Sequence, residues 1–227
     1  MQGLSKHTKE IFAEICSLEC IKGYTLIGGT ALSLQIAHRL SEDLDFCKWK
    51  DGKTTQVDWP GIRDEITEKL SGSLKINVLD FNQVDFVVDG KVKLSFYSNQ
   101  ILKSPVENTN HISGNMYIAD IRSIGAMKLG VMGRRTNFRD YYDIYSILKH
   151  GIPLSEIVGK TLKYSRNQIN SKSIFTMLQD GDRFKMEKGF NNLSPKYNVS
   201  EKDIELYIKS IILRENEIKR EMLPPKN

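Results

Sequence analysis

Ile27 to Phe46 reads IGGTALSLQIAHRLSEDLDF, and no other stretch constrains the chain as strongly. An apolar run, GYTLI, meets two adjacent glycines and then a helix-like segment with Thr30 placed to cap it. The alternating segment DLDFCKW follows as a strand. A glycine turn between strand and helix exposes backbone N–H groups at a helix N-terminus, where they and the helix dipole attract phosphate. Asp43 and Asp45 sit at i and i+2, so on a strand they share one face. Two same-face carboxylates repel each other unless a cation or solvent intervenes, and Mg²⁺ takes oxygen ligands while keeping waters and substrate phosphates in its shell. Two carboxylates plus a triphosphate make a Mg²⁺ site suited to in-line nucleotidyl transfer. The competing reading is a plain tight turn followed by a solvated strand end. There is no Gly-Lys-Ser/Thr and no G-x-G-x-x-G, which excludes a Walker loop and a dinucleotide fingerprint.

Around this stretch the sequence predicts a helix over residues 4–21, where Leu4, Ile11, Phe12, Ile15 and Leu18 fall near a 3.6 period. The run GKTTQ reads as a loop, and WPGIRDEITEKLSG as a helix with Pro60 in its first turn. Three strands follow, LKINVLDF, QVDFVVDG and KVKLSFYS, with Asp89-Gly90 as a hairpin signal between the last two. SPVENTNHISGN reads as a loop. From about Tyr117 onward every segment is helix-like, ending in a solvated tail, LPPKN. The expected architecture is α+β: a mixed sheet with flanking helices over residues 1–116 and a helical domain over 117–227.

Residues 1–120 carry 13 Lys+Arg against 16 Asp+Glu, while residues 121–227 carry 20 against 12. An acidic half joined to a basic half suits a metal site beside a phosphate-attracting surface; a lysine-rich surface is the bland alternative. Cys16, Cys20 and Cys47 make an odd, unpatterned set that reads as core filler, and the four histidines are scattered. No apolar run approaches the roughly 20 residues of a membrane span. The N-terminus lacks a signal-like apolar core, which places the chain in the cytoplasm.

A second dense cluster is AMKLGVMGRRTNFRDYYDIYSIL. On one continuous helix Lys128, Arg135, Arg139 and Asp143 would lie along one face, but Gly130, Gly133 and Asn137 make a break plausible. Lysine and arginine beside a nucleotide can hold its β- and γ-phosphates. The alternative is an exposed face with Arg139 and Asp143 as an i,i+4 pair. Tyr141, Tyr142 and Tyr145 are candidates for base stacking, with helix packing as the competing reading.

The two clusters together resemble the AbiEii/AbiGii-type toxins, nucleotidyltransferases of the DNA polymerase β-like superfamily that include the MenT-like toxins modifying tRNA. GGTAL…HRLSEDLDF is similar to that family's G-G-[ST]-A-L…R-x-S-x-D-[LI]-D-[FL] motif, and the 128–143 cluster to its K…R…RD-x-x-D segment. The resemblance spans about residues 24–150. It implies that Gly28, Gly29 and Thr30 cradle a triphosphate and that Asp43 and Asp45 hold Mg²⁺. Arg39 and Ser41, grouped with the nucleotide-binding residues, would brace the loop between helix and strand. It implies that Lys128, with Arg135 and Arg139, contacts the nucleotide, and that Asp143 or Asp140 acts near the reacting centre or orients the basic residues. The implied partners are an NTP, an RNA acceptor such as tRNA, and an antitoxin encoded alongside. Ser95 stands where many such enzymes have a third acid. Two carboxylates would then suffice, Asp143 or Asp85 would stand in, or the chain would be a weakly catalytic nucleotide- or RNA-binding module. A transferase acting on a protein or small-molecule hydroxyl is a further alternative.

Overall fold

A computed structural model describes residues 2–49, 56–99, 104–165 and 168–221. Residues 52–55 of the expected GKTTQ loop and the LPPKN tail lie outside them. Helix α1 (Lys6–Ser17) leads into strand β1 (Thr25–Ile27), and α2 (Gly28–Ile36) follows with no intervening turn. Strand β2 (Leu44–Trp49) and helix α3 (Trp59–Lys69) come next, then the strands β3 (Leu74–Asp80), β4 (Gln83–Val88) and β5 (Val92–Asn99). Asp58 caps α3 by accepting from the Gly61 amide. Asp89 and Gly90 both have positive φ, the conformation a two-residue hairpin needs, so this dipeptide fixes the β4–β5 register.

The sheet departs from expectation after residue 104. Thr109–Ser113 forms β6 and Met116–Ala119 forms β7, where the composition suggested loop and then helix. β7 pairs with β1 in the sheet's interior, Leu26 opposite Ile118, so the sheet runs past residue 117 and the helices begin at Ile121. These strands are short, polar on one side and turn-rich, so tertiary pairing rather than local pattern creates them. The sheet has seven strands in the order β3-β4-β5-β2-β1-β7-β6. β2 runs antiparallel to β1 and parallel to β5.

One sheet face is apolar. Leu44 and Phe46, Leu94 and Phe96, and Val84 and Phe86 alternate inward and join Phe12, Ile15, Ile62 and Ile66 in one buried cluster. Phe96 stacks on Phe46 at 5.0 Å and meets Phe86 edge-on at 5.8 Å. The opposite face carries Asp45, Ser95 and Asp85 in one row, then Cys47 and Tyr97, then Trp49 and Asn99. That polar face is where the site lies.

The helical half comprises α4 (Ile121–Met132), α5 (Phe138–Lys149), α6 (Leu154–Tyr164), α7 (Ser171–Leu178) and α8 (Glu201–Glu221). The break between α4 and α5 falls where Gly133 and Asn137 suggested it, with Asn137 capping α5 through the Arg139 amide. Tyr141 and Tyr142 are fully buried and Tyr145 nearly so, which makes them core side chains rather than a stacking surface. Cys16 and Cys47 are buried, Cys20 is partly buried, and all three are free thiols. Sheet and helices share one continuous core.

Candidate active site

Helix α2 begins directly at the end of β1, and no side chain caps its first turn. Gly28 has φ +73°, and a Cβ there would sit 2.7 Å from Asp45 Oδ2. A Cβ at Gly29 would come 2.5 Å from Arg39 Nη2. The paired glycines are therefore required by two different side chains pressing on the same backbone, one acidic and one basic.

Thr30 is neither a cap nor open to a ligand. It is the third residue of α2, is buried, and donates its hydroxyl to the Asp43 carbonyl and to Ser41 Oγ at 2.8 Å. Ser41 is buried as well. Thr30, expected to cradle phosphate, spends its hydroxyl on a tie with Ser41 and Asp43 that holds α2 against the start of β2, the loop that Ser41 was expected to brace.

Asp45 lies on β2 with its carboxylate toward Gly28 and the Tyr97 hydroxyl, which is 3.5 Å from Oδ1. Burial pushes the Asp45 carboxyl up; Lys93 opposes the shift and Asp43 adds to it. Asp43, just before β2, is half-exposed, with Oδ2 at 3.9 Å from Lys93 Nζ. No set of three or more His, Cys, Asp or Glu side chains is arranged to hold a metal among the described residues. The donor types fit a hard cation: Asp45 lines the cavity beside Gly28 with no cationic partner within bonding distance among the described residues, and Asp43, two residues before it, lies outside that lining.

The basic cluster is a buried ionic hub. Asp143 is fully buried and accepts four contacts: His38 Nε2 at 2.7 Å, Arg39 Nε at 2.8 Å, Arg39 Nη2 at 3.0 Å and Lys128 Nζ at 2.6 Å. Asp140 takes Lys128 at 2.7 Å and Arg135 at 2.7 and 3.1 Å. Burial opposes the charge on Asp143, but Arg39, Lys128 and His38 outweigh it and hold the carboxyl well below its usual range. Burial also opposes the Lys128 ammonium, and Asp140 with Asp143 hold it above its ordinary value. Burial pushes the His38 imidazole down, while Asp143 opposes the shift. Asp143 thus has no lone pair to spare for a reacting group. Its contacts all go to the basic residues His38, Arg39 and Lys128.

Gly28, Asp45, Lys128 and Arg135 line one cavity of about 530 Å³ between the polar sheet face and α4. Arg39 is buried in the hub, below this surface. Arg139 points elsewhere, toward Glu187 at 3.1 Å and Glu42 at 3.8 Å, and lies outside the cavity lining. Ser95 is fully buried and pairs with Asp45 on one side and Asp85 on the other; among the described residues Asp85 Oδ1 has no hydrogen-bond partner. Sequence reasoning passed over His38, Tyr97, Trp49 and Tyr164, because nothing in their local pattern separates them from core or surface residues.

A glycine-started helix, an acidic strand and a buried lysine face one cleft of a seven-stranded mixed sheet with flanking helices, an arrangement consistent with a nucleotidyltransferase fold. Residues 20–210 match the family model described as nucleotidyl transferase AbiEii toxin, type IV toxin–antitoxin system. The chain belongs to that family, whose members are nucleotidyltransferase toxins with antitoxin partners. It is also 30% identical over 170 residues to the uncharacterized protein aq_aa25 of Aquifex aeolicus (strain VF5), covering 74% of this chain and 78% of that one. Among the described residues no helix is long and apolar enough to cross a membrane.

Proposed function

We propose that the protein is a Mg²⁺-dependent cytoplasmic toxin that transfers a nucleotidyl group from an NTP to an RNA acceptor, tRNA being the family-based choice. The observation that carries this reading is the shared cavity of Gly28, Asp45, Lys128 and Arg135, which sets backbone amides, a carboxylate and two cations around one space. In this reading Asp43 and Asp45 hold Mg²⁺, which when bound offsets phosphate charge and aligns the attacked phosphorus. The amides at the start of α2 receive phosphate oxygens. An ammonium has three N–H donors, and Asp140 and Asp143 take two of those on Lys128. The third is available to a phosphate. Arg135, more than half exposed, adds a second cation at the mouth. The +8 balance of residues 121–227 favours a polyanionic acceptor. In this reading both the α/β part, through Gly28 and Asp45, and the helical part, through Lys128 and Arg135, contribute to one site.

The test is transfer of label from each α-labelled NTP to total tRNA, with and without Mg²⁺, for wild type, Asp45→Asn and Lys128→Met. The reading expects label on RNA only with Mg²⁺ and a loss of at least about 10²-fold in both variants. Equal transfer by the variants would show that the chemistry lies elsewhere. NTP binding with no acceptor labelled would favour the weakly catalytic binding module, for which Ser95 in place of an acid is the specific support.

A further inference from the structure

The character of the cavity lining changes along the strands that form its floor. β2 and β5 are parallel and in register, so same-face residues form steps: Asp45 with Ser95, Cys47 with Tyr97, Trp49 with Asn99. Each step advances about 6.6 Å, which puts Trp49 roughly 13 Å from Asp45. The phosphate-binding groups, Gly28 and Lys128, gather at the Asp45 end. Beyond them the sheet side sets Tyr97 and Trp49 among the polar Asn82, Gln83, Ser98 and Asn99, and the α4 side is apolar, with Met127 and Val131. Tyr164, the last residue of α6, closes the slot. Its ring lies against α4 at Gly130, at van der Waals distance.

Trp49, Tyr97 and Tyr164 are each only partly buried, and none pairs with another ring among the described residues. The tyrosines of α5 all do. Three rings facing the apolar side of α4, about one nucleoside length from a phosphate site, match the flat face of a base, and the polar side chains between them match its edge. Gln83, opposite Tyr97 on β4, adds a carboxamide at the same level, able to donate and accept along a base edge.

We infer that this aromatic end is a nucleobase subsite, in which Tyr164 and Trp49 hold the base of the NTP and Gln83 reads its edge. The inference rests on the nucleotide-transfer reading above and adds to it the determinants of base choice. Stacking supplies affinity that inorganic tripolyphosphate, which has no base, cannot gain. The nucleotide a family member uses would then follow from these side chains, not from the glycine–aspartate motif.

The experiment measures binding of each of the four NTPs and of inorganic tripolyphosphate by calorimetry, with Mg²⁺ and no acceptor. The expected result for wild type is at least one NTP binding about tenfold more tightly than tripolyphosphate. Tyr164→Leu loses most of that advantage and leaves tripolyphosphate binding within about twofold, whereas Tyr164→Phe keeps it. Gln83→Ala changes the ranking of the four NTPs without changing tripolyphosphate binding. The chain has two tryptophans, Trp49 and Trp59. In Trp59→Phe protein the remaining emission should respond to NTP and not to tripolyphosphate, a readout that leaves every slot residue intact. The inference is overturned if Tyr164→Leu binds NTP as tightly as Tyr164→Phe, or if NTP and tripolyphosphate perturb Trp49 alike. Failure of the transfer reading looks different: tripolyphosphate would then bind Asp45→Asn and Lys128→Met as well as it binds wild type.

Discussion

Replacing Asp143 with asparagine removes one negative charge from the centre of the hub and changes almost no volume. The site has no room for the exchange. Asp143 Oδ1 receives His38 and Arg39, and Oδ2 receives Arg39 and Lys128, all within 2.6–3.0 Å. A carboxamide has one oxygen and an NH₂ group, so one pair of donors would face a donor. Arg39 and Lys128 are themselves buried, leaving Asp140 as the one remaining acid in contact with Lys128. Breaking a buried ion pair by removing one partner costs about 3–5 kcal/mol, a large share of the roughly 5–15 kcal/mol that holds a domain folded. For a chain of this size that lowers Tm by roughly 6–20 °C. Urea unfolding at neutral pH, followed by circular dichroism, measures the loss directly. The pH dependence supplies an independent check. Asp143 has a depressed folded-state pKa, so its contribution is fully present above its unfolded value near 3.8 and is lost as pH falls through the folded value. The gap between wild type and variant should therefore be constant near neutrality and narrow in strong acid. A loss under about 1 kcal/mol at pH 7 would refute the hub as a structural keystone.

Gly28→Ala should destabilise by about 1–2 kcal/mol from its left-handed backbone alone. It should cut NTP transfer far more than its Tm shift explains, because the new methyl meets Asp45 Oδ2 at 2.7 Å. Comparing kcat with Tm separates the two effects. Ser95→Asp sets a third carboxylate beside Asp45 in register, so the metal-free variant should melt lower than wild type and gain more from added Mg²⁺; equal gains in the two proteins would contradict a cation near Asp45. Asp45 is raised above the usual carboxylate range, so Mn²⁺ affinity read by electron paramagnetic resonance should weaken at a higher pH than for an ordinary aspartate, with proton release on binding. An affinity flat from pH 7 to about 4 would argue against Asp45 as a ligand.

Local chemistry made some elements legible in the sequence. Asp89-Gly90 requires positive φ twice, so it announces a hairpin wherever it stands. Gly133 and Asn137 stop one helix and cap the next by rules that involve only their neighbours. The spacing of Asp43, Asp45 and the glycines survives for the same reason, since a strand and a helix start fix it within twenty residues. What remained hidden depends on distant partners. Thr30 reads as a cap but meets the Asp43 carbonyl instead, because the return of β2 puts that oxygen closer than the helix's own amides. His38 and Arg39 find their acid 105 and 104 residues away. β6 and β7 owe their pairing to each other and, for β7, to β1. The aromatic slot has no signature because its three rings come from three different elements.

The hub also orders events in time. His38 and Arg39 leave the ribosome early, together with the glycines and aspartates of the proposed site, while Lys128, Asp140 and Asp143 are made some ninety to a hundred residues later. Until α5 arrives, Arg39 has no buried acid to hold it, and nothing fixes it against the backbone of Gly29. A half-made chain, or one cut short before residue 140, would carry the glycine–aspartate motif without either acid that holds Arg39 and Lys128. The wiring of one buried salt-bridge cluster thus ties the final packing of the first-made segment to the arrival of one of the later helices.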